Sequence, residues 1–91
     1  MAGIEFTVLM PVFNTNPAHL NEAVLSVVNQ SVKPNKILIV DDGSTKTDTM
    51  YELDKLQRSH DIIQVKELDR NYGTSHALNV GHGMIETEWI S

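Results

Sequence analysis

Asp41 and Asp42 stand side by side at the end of the apolar run Ile37-Leu38-Ile39-Val40, with Gly43 and Ser44 directly after them. Such a run reads as a buried parallel strand, and open α/β sheets bind ligands at the carboxyl ends of their strands. Two adjacent carboxylates at that rim, then a Gly and a Ser, suit a ligand rich in hydrogen-bond donors, such as a base or a ribose. Asp, Gly and Ser are also ordinary turn residues, and the same stretch fits a solvated turn.

Other chemical templates fit poorly. A dinucleotide fold needs G-x-G-x-x-G after its first strand, and that turn here reads Pro11-Val12-Phe13-Asn14-Thr15-Asn16. No P-loop pattern is present. His19, His60, His76 and His82 lack metal-ligand spacing and read as surface or packing residues. Ser44 has no base close in sequence, so a serine hydrolase is not supported. Asp41-Asp42 could act as an acid–base pair; Glu86 and Glu88 read as a solvated turn.

The elements that would position these residues alternate. Phe6 to Phe13 is β-rich, with Pro11 near its end as a strand breaker. Asn16 caps a first helix and Pro17 takes its first position. Leu20, Ala23, Val24, Val27 and Val28 recur at helical spacing as its buried face. A connector over Ser31 to Asn35 leads to a second strand, Lys36 to Asp41. Thr45 and Asp48 fit a loose capping box for a second helix with Met50, Leu53 and Leu56 as its apolar stripe. Arg58 to Asp61 reads as a polar turn, and Ile62 to Leu68 as a third, edge strand. Asp69 to Gly73 is a loop, after which Thr74 or Ser75 caps a third helix with Ala77, Val80, Gly81 and Met84 on one face. Gly81 and Gly83 each cost that helix about 1 kcal/mol relative to Ala, which points to close packing on the sheet. Trp89-Ile90-Ser91 opens a fourth strand. Strands alternating with helices predict an α/β fold of three layers, α/β/α and Rossmann-like, with a mostly parallel sheet.

Size and charge bound the function. Ninety-one residues make at most one small domain. A hydrophobic content of 41% is globular, and a net charge of −5 argues against a nucleic-acid partner, which needs a basic face. Without cysteine there is no disulfide or thiolate chemistry. No stretch reaches the roughly 18 apolar residues of a membrane span. Stopping on the opening residues of a buried strand, the chain reads as the amino-terminal part of a longer protein.

Four segments carry a resemblance. They are Phe-Thr-Val-Leu-Met-Pro-Val-Phe-Asn over Phe6 to Asn14, Leu25-Ser26-Val27-Val28-Asn29-Gln30-Ser31, Val40 to Ser44, and Asn71-x-Gly73-x-x-x-Ala77-x-Asn79-x-Gly81. In this order the chain resembles the family 2 glycosyltransferases from about residue 6 to 91. The resemblance implies the nucleotide-binding half of a GT-A fold over residues 1–91, incomplete at its carboxyl end, with strand order 3-2-1-4 and the fourth strand only begun. Phe13 takes the place of a usual Tyr, which keeps base stacking and loses a phenol hydrogen bond. Leu78 stands where Arg or Lys is frequent, so no phosphate contact is expected from it.

What the resemblance implies is sugar transfer, with inversion, from a UDP-linked sugar to an acceptor hydroxyl on a glycan or lipid-linked acceptor. Pro11, Val12, Phe13 and Asn14 would flank the base. Asp42 would accept from uracil N3–H, and Asp41 would support the turn or the ribose. Asn71 and Gly73 would close the other wall, the Gly allowing close backbone approach. A divalent metal, Mg or Mn, would be held by an Asp-x-Asp motif beyond Ser91, and the catalytic base would lie later still. The 91 residues alone would bind UDP weakly and transfer nothing. They would form a dimer or oligomer through the exposed edge of the first strand. The expected location is cytoplasmic, at the inner membrane face through segments not present here. Two rivals remain: a non-catalytic nucleotide-binding module, and a flavodoxin- or receiver-like interaction domain in which Asp41 and Asp42 bind Mg²⁺.

Overall fold

The computed structural model describes residues 5–85 and the backbone of residues 89 and 90. Seven elements alternate along the chain: β1 (Phe6–Val12), α1 (Pro17–Val28), β2 (Lys36–Asp41), α2 (Thr47–Ser59), β3 (Ile63–Glu67), α3 (Thr74–Met84) and β4 (Trp89–Ile90). The four strands form one sheet in the order β3-β2-β1-β4, with every pair parallel. The expected order and the edge position of β3 are both met.

β2 is the centre of the molecule because its side chains are apolar on both faces. Ile37 and Ile39 point to one face, where Leu20 and Val24 of α1 and Leu53 and Leu56 of α2 cover them. Leu38 and Val40 point to the other, against Ala77 of α3 and the half-buried Leu9, Leu68 and Met84. A strand buried on both faces needs no polar alternation, which is why this segment reads as a continuous apolar run. Three layers result, with α1 and α2 on one side and α3 on the other.

The helix ends follow the sequence unevenly. Asn16 caps α1 as expected, its Oδ1 accepting from the N–H groups of Ala18 at 2.9 Å and His19 at 3.3 Å. Ala23, placed on the buried face by spacing, is exposed. The capping box expected at Thr45 does not form: α2 starts two residues later, with Lys46 at the cap position and no side-chain cap. Thr45 is instead drawn into the turn after β2. Met50 lies off the buried stripe at 41% exposure, and Thr49 and Glu52 take its place facing inward. Their polar atoms are satisfied, Thr49 Oγ1 donating to the Thr15 carbonyl at 2.8 Å and Glu52 Oε2 accepting from Asn21 Nδ2 at 3.1 Å. α2 also runs through Ser59, so Arg58 and Ser59 are helical, not part of a turn.

α3 is capped by neither Thr74 nor Ser75; Gly73 occupies the cap position without a side-chain hydrogen bond. Gly81 is buried, and a Cβ there would collide with Leu9 Cδ1 of β1, so this glycine sets the distance between helix and sheet. Gly83 faces open space, and close packing does not explain it. β1 ends at Val12, one residue before Phe13, and β4 pairs with Phe6 and Thr7. Glu86, Glu88 and Ser91 lie outside the described residues.

Candidate nucleotide site at the sheet rim

Parallel strands bring all their carboxyl ends to one edge, so the turns after β1, β2 and β3 meet there. The ladder runs one step past the strands. Asp42 N–H donates to the Val12 carbonyl at 2.8 Å, and Leu68 N–H to the Asp41 carbonyl at 2.8 Å. These two backbone bonds carry the ladder from the strands into the turns that follow them.

The turn after β1 is built on Asn14, which has a positive φ of 49°. Asn tolerates this left-handed region because its short side chain bonds locally. Its N–H donates to Ser44 Oγ at 2.8 Å. Its Oδ1 accepts from the N–H groups of Thr45 at 2.8 Å and Lys46 at 2.9 Å, while Nδ2 donates to Thr45 Oγ1 at 3.3 Å. Both ends of the amide are therefore engaged in tying the first turn to the second.

The two aspartates do different work. Asp41 is buried, and its Oδ1 accepts from Ser44 N–H at 3.2 Å, closing the turn after β2. Asp42, only 3% exposed, reaches across to the third turn. Its Oδ1 accepts from Tyr72 N–H at 2.8 Å and its Oδ2 from Gly73 N–H at 2.9 Å. A carboxylate is acceptor-only, so this pair of donors holds the ionised group in one orientation. Both aspartates accept from backbone N–H groups of the rim.

A shallow cavity of about 70 Å³ opens beside Asp42, lined by Pro11, Val12, Phe13, Asp42 and Thr74. The Phe13 ring is 48% exposed at its mouth. Of the residues singled out from sequence, Pro11, Val12, Phe13 and Asp42 line this cavity. Asn14 and Asp41 sit behind it as supports of the turns. Asn71 and Gly73 do not line it: Gly73 is half-buried and meets the site through its N–H on Asp42, and Asn71 is exposed on the third turn. Thr74 was not anticipated as a lining residue. Its position directly after Gly73, where the third turn enters α3, is the sequence signal that would have found it.

Two other depressions lie away from the rim. One of about 80 Å³ runs between α2 and β3, lined by Met50, Leu53, Asp54, Gln57, Val65 and Glu67. The other is an open face of α1 at His19, Glu22, Ala23 and Ser26. Neither gathers the ends of several strands. Among the described residues, no group of three or more His, Cys, Asp or Glu side chains is placed to hold a metal ion.

Comparison with known proteins bears on the fold and the family. The chain is 30% identical over 80 residues to an Escherichia coli UDP-Gal:alpha-D-GlcNAc-diphosphoundecaprenol beta-1,3-galactosyltransferase, covering 85% of this chain and 28% of that protein. It is 30% identical over 90 residues to an uncharacterized glycosyltransferase of Haemophilus influenzae, covering 93% of this chain and 33% of that one. The chain thus spans about a third or less of these relatives, 28% and 33%. A mannosyltransferase from Pyrobaculum calidifontis, solved in complex with GDP-Man and Mn²⁺, shares the fold with a TM-score of 0.81 at 23% identity, over 94% of this chain and 26% of that one. The GT-A architecture expected from the four segments is therefore present. The model of the glycosyl transferase family 2 matches residues 7–91, nearly the whole chain, and the chain belongs to that family.

Proposed function

We propose that this chain is the nucleotide-binding half of an enzyme that transfers a sugar from a UDP-linked donor to an acceptor hydroxyl with inversion. The observation that carries the reading is the exposed Phe13 ring beside a carboxylate, Asp42, held in one orientation by two backbone N–H groups. An ionised carboxylate offers about four lone-pair directions, of which the Tyr72 and Gly73 N–H groups take two. The remaining acceptors suit the N3–H of uracil stacked on Phe13. Thr74 and the third turn would bound the ribose side.

Family membership and the Mn²⁺-containing neighbour support a divalent cation in the whole enzyme. Such an ion would offset the charge that grows on the departing diphosphate. By the family resemblance its ligands would belong to an Asp-x-Asp following Ser91. A glycan or lipid-linked acceptor, and a cytoplasmic site of action at the inner membrane face, belong to the same proposal. No described helix is long and apolar enough to cross a membrane.

Magnitudes limit the 91 residues alone. Base stacking contributes about 1–3 kcal/mol and a hydrogen bond to a charged group about 1.5–3 kcal/mol, against the roughly 4 kcal/mol needed for millimolar binding. Weak UDP binding and no sugar transfer are the expected behaviour. NMR titration with UDP tests this: shifts centred on Phe13, Gly43, Gly73 and Thr74, weakened in Phe13→Ala, are expected. Shifts confined to α1, or none at tens of millimolar UDP, would overturn the site. Micromolar, Mn²⁺-dependent affinity would overturn the assignment of the metal ligands. Self-association through the β4-side edge of β1, where described pairing stops at Thr7, is part of the proposal; sedimentation of a monomer would refute it.

A further inference from the structure

The third turn carries a cluster of side chains that the nucleotide reading does not use. Tyr72 Oη donates to Asp69 Oδ1 at 2.7 Å. The Tyr72 ring lies 4.6 Å from the His76 ring, tilted by 35°. The Arg70 guanidinium carbon stands 5.4 Å from the centre of the same ring. Three side chains from one turn and the start of α3, Asp69, Arg70 and His76, therefore converge on Tyr72, which is 44% exposed. An exposed tyrosine with no task would sample several rotamers.

The same residue is one of the two donors to Asp42. Tyr72 thus bonds Asp42 through its main chain and Asp69 through its side chain. We propose that the Asp69–Tyr72 pair is a latch whose role is to hold the third turn so that the Tyr72 and Gly73 N–H groups stay on the Asp42 carboxylate. On this view Tyr72 is a positioning residue for the nucleotide site, resting on the functional reading above for its consequence and on the loop geometry alone for its existence.

The physical need for such a device is plain. The connection between β3 and α3 is anchored on the core at its first residue, the half-buried Leu68, but Asp69, Arg70, Asn71 and Tyr72 after it are all exposed. α3 is preceded by Gly73 at its cap position, whose φ of 101° and ψ of 156° are open to glycine and to few other residues. A glycine hinge adds conformational freedom where Asp42 needs a fixed partner. A phenol held by a charged acceptor, with an imidazole and a guanidinium against its ring, restrains that hinge from its outer side. The titration tendencies agree. The Tyr72 hydroxyl beside Asp69 lowers that carboxyl below its usual 3.8, and the bond to Asp69 raises the phenol above its usual 10.0.

The test uses the 91-residue chain and two readouts. Amide hydrogen exchange at Tyr72 and Gly73 reads the latch without any ligand. Tyr72→Phe, which keeps the ring and loses the hydroxyl, is expected to speed both amides about three- to tenfold while those of β2 stay unchanged, as loss of one modest hydrogen bond would. Asp69→Ala should do the same. Asp69→Asn, which keeps an acceptor oxygen, should recover part of the protection. Unchanged exchange in Tyr72→Phe, or Asp69→Asn as fast as Asp69→Ala, would overturn the latch. UDP titration is the second readout. A loss of UDP affinity of similar size in Tyr72→Phe, with an unchanged melting temperature, supports the link to the site. Equal UDP affinity in the two proteins despite faster exchange would overturn that link. If the unaltered chain binds no UDP, the functional reading fails while the exchange data still decide the latch.

Discussion

Gly43 lies directly against the backbone of Asn71. With φ at +74°, a Cβ built on Gly43 would stand 2.5 Å from the Asn71 nitrogen and closer still to the Arg70 carbonyl carbon. The turn after β2 and the turn after β3 are thus in van der Waals contact through main chain. It is this contact that lets the Asp42 carboxylate reach the Tyr72 and Gly73 N–H groups.

Gly43→Ala should therefore be among the most damaging single-methyl additions in the chain. The left-handed φ costs about 1–2 kcal/mol for a residue with a Cβ, and overpacking against rigid backbone a further 1–3 kcal/mol or so. A loss of at least about 2 kcal/mol in urea unfolding is expected. A loss under about 0.5 kcal/mol, the range of ordinary surface changes, would show that the two turns are not in contact.

The two glycines of α3 should respond with opposite sign. Gly81→Ala pushes a methyl into Leu9 Cδ1 and should destabilise by about 1–3 kcal/mol unless Leu9 changes rotamer. Gly83→Ala meets open space and should stabilise by about 0.4–1 kcal/mol through reduced freedom of the unfolded chain. Thermal melts of the two variants decide the matter, and equal shifts would contradict the packing described.

Asn14 should tolerate Asp far better than Ala. Asp keeps the oxygen that accepts from Thr45 and Lys46 N–H, losing only the 3.3 Å donation to Thr45 Oγ1. Ala leaves both N–H groups without that acceptor and places an apolar residue at φ 49°. Unfolding should show a loss of about 2–3 kcal/mol for Asn14→Ala and under about 1 kcal/mol for Asn14→Asp. Equal losses would mean that the clasp on the second turn is not what Asn14 contributes.

The pH range of the Asp69–Tyr72 pair follows from the direction of its shifts. Asp69 is lowered, so its contribution is present above 3.8 and fades as pH falls through the shifted value. Tyr72 is raised, so its contribution is present below 10.0 and fades as pH rises through the shifted value. Arg70 and His76 are the other titratable groups against the phenol ring. The chain has two tyrosines, so Tyr51→Phe isolates the Tyr72 phenolate in ultraviolet absorbance. Its midpoint should lie above 10.0 and fall when Asp69→Asn removes the charge. A midpoint indifferent to Asp69→Asn would remove the pairing in solution.

Two of the expectations that failed, at Thr45 and Met50, share a cause. Capping at Thr45 was read from local spacing, but Asn14, distant in sequence, recruits the Thr45 and Lys46 N–H groups and delays the helix. Met50 fits an apolar stripe by period, yet Thr49 and Glu52 face inward because Thr15 and Asn21 satisfy them. In each case a long-range hydrogen bond outweighed a preference worth a fraction of a kilocalorie to about one.

The apolar run Ile37 to Val40, the Asn16-Pro17 helix start and the alternation of strand and helix periods were enough to predict the three layers, while the strand order and the family rested on the resemblance that four motif segments carry. Those features act locally or through one-dimensional pattern, and a parallel sheet leaves few ways to connect them. Which rim residues face a ligand was decided only in three dimensions. Asp41 and Asp42 are adjacent and chemically identical, yet one closes its own turn and the other spans to the next strand's loop. That division depends on Gly43 pressed against Arg70 and Asn71, a contact between segments far apart in sequence, which no spacing along the chain encodes.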